Sequence, residues 1–119
     1  MSASVLAISF DAHDAAQLAQ FWAKALHLTV NDSATEEFAS IAAGADGRPG
    51  PMLIFHKVPE GKTVKNRVHI DLQAADVVAE ADRLISLGAQ QIRSLAENNN
   101  RWVSLRDLEG NEFDLAVSG

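Results

Sequence analysis

The feature that most constrains this chain is an order of elements that runs twice. A short apolar run leads into an amphipathic helical stripe, and three further strand-like runs follow. About 60 residues later the same order begins again, a spacing at which internal duplication is expected. In the first half, residues 5–10 read as a strand. Leu18, Phe21, Trp22, Ala25 and Leu26 then fall on one face of a 3.6-residue helix, with Asp14 placed to cap it. Residues 28–30, 37–43 and 52–58 read as strands, with the Gly- and Pro-rich stretch 44–51 as a turn or loop before the last.

Pro59-Glu60-Gly61-Lys62 breaks the chain near its middle. Beyond it, residues 68–72 read as a strand. Val77, Ala81, Leu84 and Ile85 mark a second helix, and Gly88 stands where a helix C′ residue belongs. Residues 90–95, 102–106 and 112–117 are strands, with turns at 98–100 and around Gly110. Each half therefore predicts β-α-β-β-β. With 119 residues in all, the chain is expected to form one domain of two modules, about 1–58 and 63–119, of the α+β class.

Composition narrows what such a domain can do. The formal charge is −6, from 16 acidic and 10 basic side chains. That argues against a nucleic-acid binder, which needs a basic face, and against docking on an anionic membrane. There is no cysteine, so disulfides, thiol catalysis and thiolate metal sites are excluded. No apolar run reaches the roughly 20 residues of a membrane helix. The start Met1-Ser2-Ala3-Ser4 has no signal-peptide character. A cytoplasmic protein is the expectation. There is no phosphate-cradling Gly loop, and no Ser or Thr reads as an activated nucleophile.

Alternation sorts the second-half strands cleanly. Val68, Ile70 and Leu72 share one face; Arg67, His69 and Asp71 share the other. Phe113 and Leu115 oppose Glu112 and Asp114, and Val103 and Leu105 oppose Trp102, Ser104 and Arg106. The polar faces either meet water or line a concave pocket. Trp102 among charged neighbours favours the pocket, as a wall against which a ligand can stack.

The segments DAAQLAQFWAKAL, VPEGKTVKNRVHIDL, LISLGA and WVSLRDLEGNEFDL together resemble the vicinal oxygen chelate superfamily, the group of glyoxalases, bleomycin-resistance proteins and extradiol dioxygenases. The resemblance is closest to small bacterial glyoxalase-like domains, and covers nearly the whole chain. It implies two βαβββ modules forming a curved, cup-like mixed sheet with helices outside. It implies a small-molecule ligand in the cup, and a homodimer. Metal-dependent members ligate a divalent ion from the first and last strands of each module, and those positions fall on Ala7, His56, His69 and Asp114.

Ala7 cannot ligate, and becomes a small contact for substrate. His56, His69 and Asp114 form an N,N,O set suited to zinc, iron, nickel or manganese. Without metal, His69 would serve as general base, oriented by Asp114 or Asp71. Arg67 either clamps an anionic substrate group or neutralises Asp71, with neutralisation the favoured reading. The plain readings stand beside these. His56 partly faces solvent, Trp22 is core, and His27 sits at a helix C-terminus. Lys62, Lys65 and Arg67 are a solvated basic cluster, and Glu112 lies on a rim or in water. Three functions remain open: a lyase, isomerase or dioxygenase with an incomplete metal site, a metal-free protein that binds or sequesters a small molecule, and, behind these two, a structural or regulatory partner domain whose cavity its own side chains fill.

Overall fold

A computed structural model describes residues 2–42, 50–97 and 100–118. The predicted turns at 44–51 and 98–100 fall largely outside them. The chain divides into two compact units, Met1–Gly61 and Lys62–Gly119. Both are α+β, each with one helix on one mixed sheet.

In the first unit β1 (Ala7–Ala12) leads into α1 (Ala15–Leu26), followed by β2 (Phe38–Ile41) and β3 (Met52–Lys57). The strand order is β1-β3-β2, with β1 parallel to β3 and β2 antiparallel to it. Helix α1 starts where predicted: the Asp14 side chain accepts from Gln17 N–H at 3.1 Å. Its predicted stripe is the buried one, with Leu18, Phe21, Trp22 and Ala25 all nearly inaccessible. Against it the sheet presents Phe55 and Phe10, whose rings stack at 4.9 Å, with Phe10 also 5.4 Å from Trp22.

The second unit contains β4 (Ile70–Ala74), α2 (Val77–Ser86), β5 (Gln90–Glu97), β6 (Asn100–Arg106) and β7 (Glu112–Val117). The order is β4-β7-β6-β5, and again the first and last strands of the unit, β4 and β7, run parallel. A parallel pair needs a crossover, which the helix supplies. Asp76 caps α2 by accepting from Ala79 N–H at 3.0 Å. Val77, Ala81 and Leu84 of the helix are buried with Val103, Leu105, Phe113 and Leu115 of the sheet. The outer strand β5 carries a register shift between Gln91 and Arg93, an irregularity that interrupts a flat pairing edge.

Three expectations change. Residues 28–30 make only a single bridge, Val30 to Ile41, rather than a strand. Positive φ at His27 (56°) and Ser33 (71°) turns the chain on either side of it. The first strand starts at Ala7, because Met52 is the first residue of β3 able to pair, and Val5 and Leu6 are left exposed. Val68 does not share the packed face of β4. It lies in a bend before the strand and is 84% exposed.

Candidate functional site

The second sheet buries one face under α2 and turns the other outward. Register places the outward side chains in transverse rows. Asp71 of β4 pairs with Asp114 of β7, Asp114 with Ser104 of β6, and Ser104 with Arg93 of β5. One strand repeat away, Trp102 pairs with Ala116 and Leu95. On the other side, Arg106 pairs with Glu112.

Within this face His69 Nδ1 lies 2.8 Å from Asp71 Oδ1. The spacing of two residues along an extended chain puts both on the same side. Asp114 joins them: one ligating atom from each of His69, Asp71 and Asp114 lies within 4.8 Å of the others. The Asp114 carboxylate is itself held, accepting from Ser104 Oγ at 2.7 Å. Ser104 is 8% exposed, whereas the His69 and Asp71 side chains are 43% and 66% exposed. The cluster therefore has a buried anchor and an open mouth.

At the near end of the face, Glu112 is gripped by the loop that precedes β4. Lys62 Nζ reaches Glu112 Oε1 at 2.5 Å, and Asn66 N–H donates to Oε2 at 3.0 Å. Burial alone would raise the Glu112 carboxyl. The Lys62 ammonium, the Asn66 N–H and the Arg106 charge outweigh it and hold the group below the usual glutamate range. The turn that delivers Glu112 is locked by Asp107, whose carboxylate accepts from Glu109 N–H, Asn111 N–H and the Asn111 amide at 2.9–3.0 Å. Gly110, at φ +87°, completes it.

Trp102 is half-buried on the same face as Ser104, two residues along β6. Arg67 is exposed in the bend before β4 and makes no ion pair with any described residue. It does not neutralise Asp71, which has His69 instead, because the chain leaves extended geometry at Arg67 and Val68. In the first unit, Ala7 opens β1 opposite Met52. His56 is exposed on β3, in register with Asp11 and Phe38, with its ring 5.4 Å edge-on from Phe38. Lys62 is part of the Glu112 pair rather than a freely solvated cation.

Two partnerships go beyond the sequence reading: Ser104 with Asp114, and Lys62 with Glu112. The first had a signal. A hairpin turning at Asp107–Gly110 must bring Ser104 opposite Asp114. The second joins a loop to a strand across the unit and has no local signature.

The family described as the glyoxalase-like domain matches residues 7–116. The chain belongs to that family. The glyoxalase-like chain is also similar in fold to several solved structures. A glyoxalase/bleomycin resistance protein/dioxygenase family enzyme from Burkholderia phytofirmans superposes with TM-score 0.76 at 14% identity, covering 97% of this chain and 98% of that one. A genomically encoded fosfomycin resistance protein from Listeria monocytogenes gives 0.76 at 14%, covering 100% and 96%. Lactoylglutathione lyase from Agrobacterium tumefaciens gives 0.66 at 14%, covering 99% and 96%. At these identities the likeness is one of fold. No match was found among curated proteins.

Glyoxalase-like superfamily proteins often bind a divalent metal. In the second unit the donor set fits such an ion in kind: one imidazole nitrogen and two carboxylates, close together and open on one side. The His69–Asp71 bond is also the arrangement by which a ligating histidine is usually oriented, with Nδ1–H given to a carboxylate and Nε2 left to the metal.

Proposed function

We propose that this glyoxalase-like chain is an enzyme that takes a small oxygenated metabolite onto the open face of its second sheet. It transforms the metabolite by isomerase, lyase or dioxygenase chemistry. The observation that carries the reading is the convergence of His69, Asp71 and Asp114 on one another. With Nδ1–H donated to Asp71, the Nε2 lone pair is available, and the Asp71 carboxylate stabilises the imidazolium formed when Nε2 accepts a proton. Ser104 fixes the Asp114 carboxylate, so that its second oxygen can face substrate. Trp102 supplies a flat apolar wall beside them, and Arg67 an outer positive charge.

A divalent ion would be held by His69 Nε2 and Asp114, with Asp71 behind the imidazole or as a third ligand. It would supply Lewis acidity toward adjacent substrate oxygens. His56 and Ala7 enter this reading only through the family's ligand positions. A homodimer is the assembly we expect, which sedimentation would test.

The deciding experiment is elemental analysis of protein purified without chelator or affinity-column metal, then incubated with iron, nickel, zinc or manganese. The expected result is stoichiometric metal in the wild type and its loss in His69→Ala and Asp114→Ala. His69→Ala should also lower turnover of an identified substrate by about 100-fold or more. Unchanged turnover in that variant would overturn the role of His69.

A second reading is a metal-free binding protein, favoured by Ala7 at the first ligand position and by half-buried Trp102 on the open face. Tight binding of a small aromatic with no turnover and no bound metal would select it.

A further inference from the structure

The loop before β4 and the turn before β7 border an open hollow of about 350 Å³ within the second unit, lined by Lys62, Thr63, Lys65, Arg106, Gly110 and Glu112 among others. That volume suits a small ligand. Its charge is what singles it out. Lys62, Lys65 and Arg106 bring three cations and Glu112 one carboxylate. Both Glu112 oxygens are occupied, one by Lys62 and one by the Asn66 N–H. Lys62 also donates to the Val64 carbonyl, so it is largely spent inside the loop. Lys65 and Arg106 make no ion pair with any described residue, although the chain as a whole is acidic, at −6. Arg106 acts on Glu112 through its charge but makes no hydrogen bond to it, so three cations face one carboxylate; with the Thr63 hydroxyl beside them, this net positive lining is complementary to an oxyanion.

We infer that this hollow is an anion subsite, holding a carboxylate or phosphate group of the substrate between Arg106 and Lys65. Arg106 offers the planar fork that such groups accept in bidentate fashion, and Lys65 a compact point charge. Position ties the subsite to the proposed reaction face. Glu112, which lines the hollow, and Asp114 are alternate residues of β7 on one side of the sheet, so their Cα atoms lie about 7 Å apart. That is the length of a short-chain acid or a phosphorylated small metabolite. Its charged end lies in the hollow and its reacting oxygens lie at His69 and Asp114. This placement of the reacting end rests on the function proposed above; the anion site itself does not.

Titration calorimetry on the whole chain with inorganic phosphate, and separately with malonate, at low ionic strength tests it. Arg106→Gln and Lys65→Gln should each weaken binding by about threefold, and the double variant by about tenfold. Lys57→Gln makes the same charge change on β3 of the first unit and should stay within about twofold. Tighter phosphate binding assigns a phosphorylated substrate, and tighter malonate binding a carboxylic acid. Three results would overturn the subsite: no binding of either anion to the wild type up to roughly 50 mM, wild-type affinity in the double variant, or an equal loss in Lys57→Gln. If a variant fails to fold, amide shift mapping of the wild type with phosphate decides instead. Shifts confined to residues 62–66 and 106–112 support the subsite, and shifts elsewhere overturn it. His69→Ala should retain phosphate binding, so failure of the proposed chemistry and failure of the subsite are read separately.

Discussion

The Ser104 hydroxyl donates to Asp114 Oδ1 at 2.7 Å across the β6–β7 pair, from a position that is 8% exposed. A buried hydroxyl with a carboxylate partner fixes a rotamer that an open sheet face would otherwise leave free. Ser104→Ala should therefore cost only about 1 kcal/mol of stability. If Asp114 ligates, the same change should weaken divalent-metal affinity by about 10-fold or more. Thermal melts and metal titration on the same variant separate the two effects. A variant that loses stability but keeps wild-type metal affinity would show that Asp114 needs no such support.

Glu112 gives the fold a defined acid limb. Its carboxyl is favoured in the charged form by Lys62, Asn66 and Arg106, against the opposing effect of burial, so its folded pKa lies below the unfolded value of about 4.3. A group depressed on folding stabilises the native state above the unfolded pKa. That contribution is lost as pH falls through the folded value. Melting temperature followed from pH 7 down to about pH 3 should therefore drop more steeply in the wild type than in Glu112→Gln. At neutral pH the substitution should cost no more than about 1 kcal/mol. Parallel acid limbs in the two proteins would mean that the Lys62–Glu112 pair does not form in solution.

Both helices are legible from residues alone, because local rules govern them: a capping Asp, a 3.6-residue apolar stripe and a terminal signal. Strand faces are legible for the same reason wherever the chain stays extended, as at Ile70–Ala74 and Glu112–Val117. Legibility fails where pairing partners decide. Val5 and Leu6 are as apolar as a strand, but β3 begins at Met52, which pairs with Ala7 and reaches Leu6 only through the N–H it donates to the Leu6 carbonyl. Residues 28–30 have a strand-like composition, yet two positive-φ residues leave room for one bridge. Val68 alternates correctly on paper and sits in a bend. In the site, His69 and Asp71 are two residues apart and their pairing could be read directly. Asp114 and Ser104 face each other through a hairpin register that the turn at Asp107–Gly110 encodes, a signal the alternation of single strands does not carry. The Lys62–Glu112 pair depends on how a loop folds back over a strand 50 residues away, and no local pattern encodes that.

The two helices end in the same way on different residues, and this predicts opposite effects of mutation. In α1 the Leu28 N–H bonds the Ala23 carbonyl at 2.8 Å, and His27 is left-handed at φ 56°, ψ 44°. In α2 the Ala89 N–H bonds the Leu84 carbonyl at 3.1 Å, with Gly88 at φ +119°. Both are Schellman endings, but only one has the residue that adopts positive φ without steric cost. His27→Gly should stabilise the protein by up to about 1 kcal/mol. Gly88→Ala should destabilise it by about 2 kcal/mol. It adds backbone strain and a Cβ only 2.5 Å from Leu108 Cδ2, which must swing away. Denaturant midpoints for the pair check this. A destabilised His27→Gly would mean that the imidazole contributes more to the α1 terminus than its backbone strain costs.

The chain's two tryptophans report separately on core and site. Trp22 is 1% exposed beneath the aromatic cluster of α1, β1 and β3. Trp102 is half-buried on the open face of β6, two residues from Ser104. Acrylamide should quench Trp102 and leave Trp22 nearly untouched, so Trp102→Phe should remove about all of the quenchable emission and leave a blue-shifted remainder. A substrate or analogue that lies over the Asp71–Asp114–Ser104 row must also cover or stack on the Trp102 indole. Its binding should change the emission of the wild type and of Trp22→Phe, and leave Trp102→Phe silent. Trp22→Phe opens a void in a packed core and should cost roughly 1–3 kcal/mol, so the titration is run well below that variant's melting temperature. A ligand-dependent signal that survives in Trp102→Phe would place the ligand away from the face on which His69 and Asp114 meet.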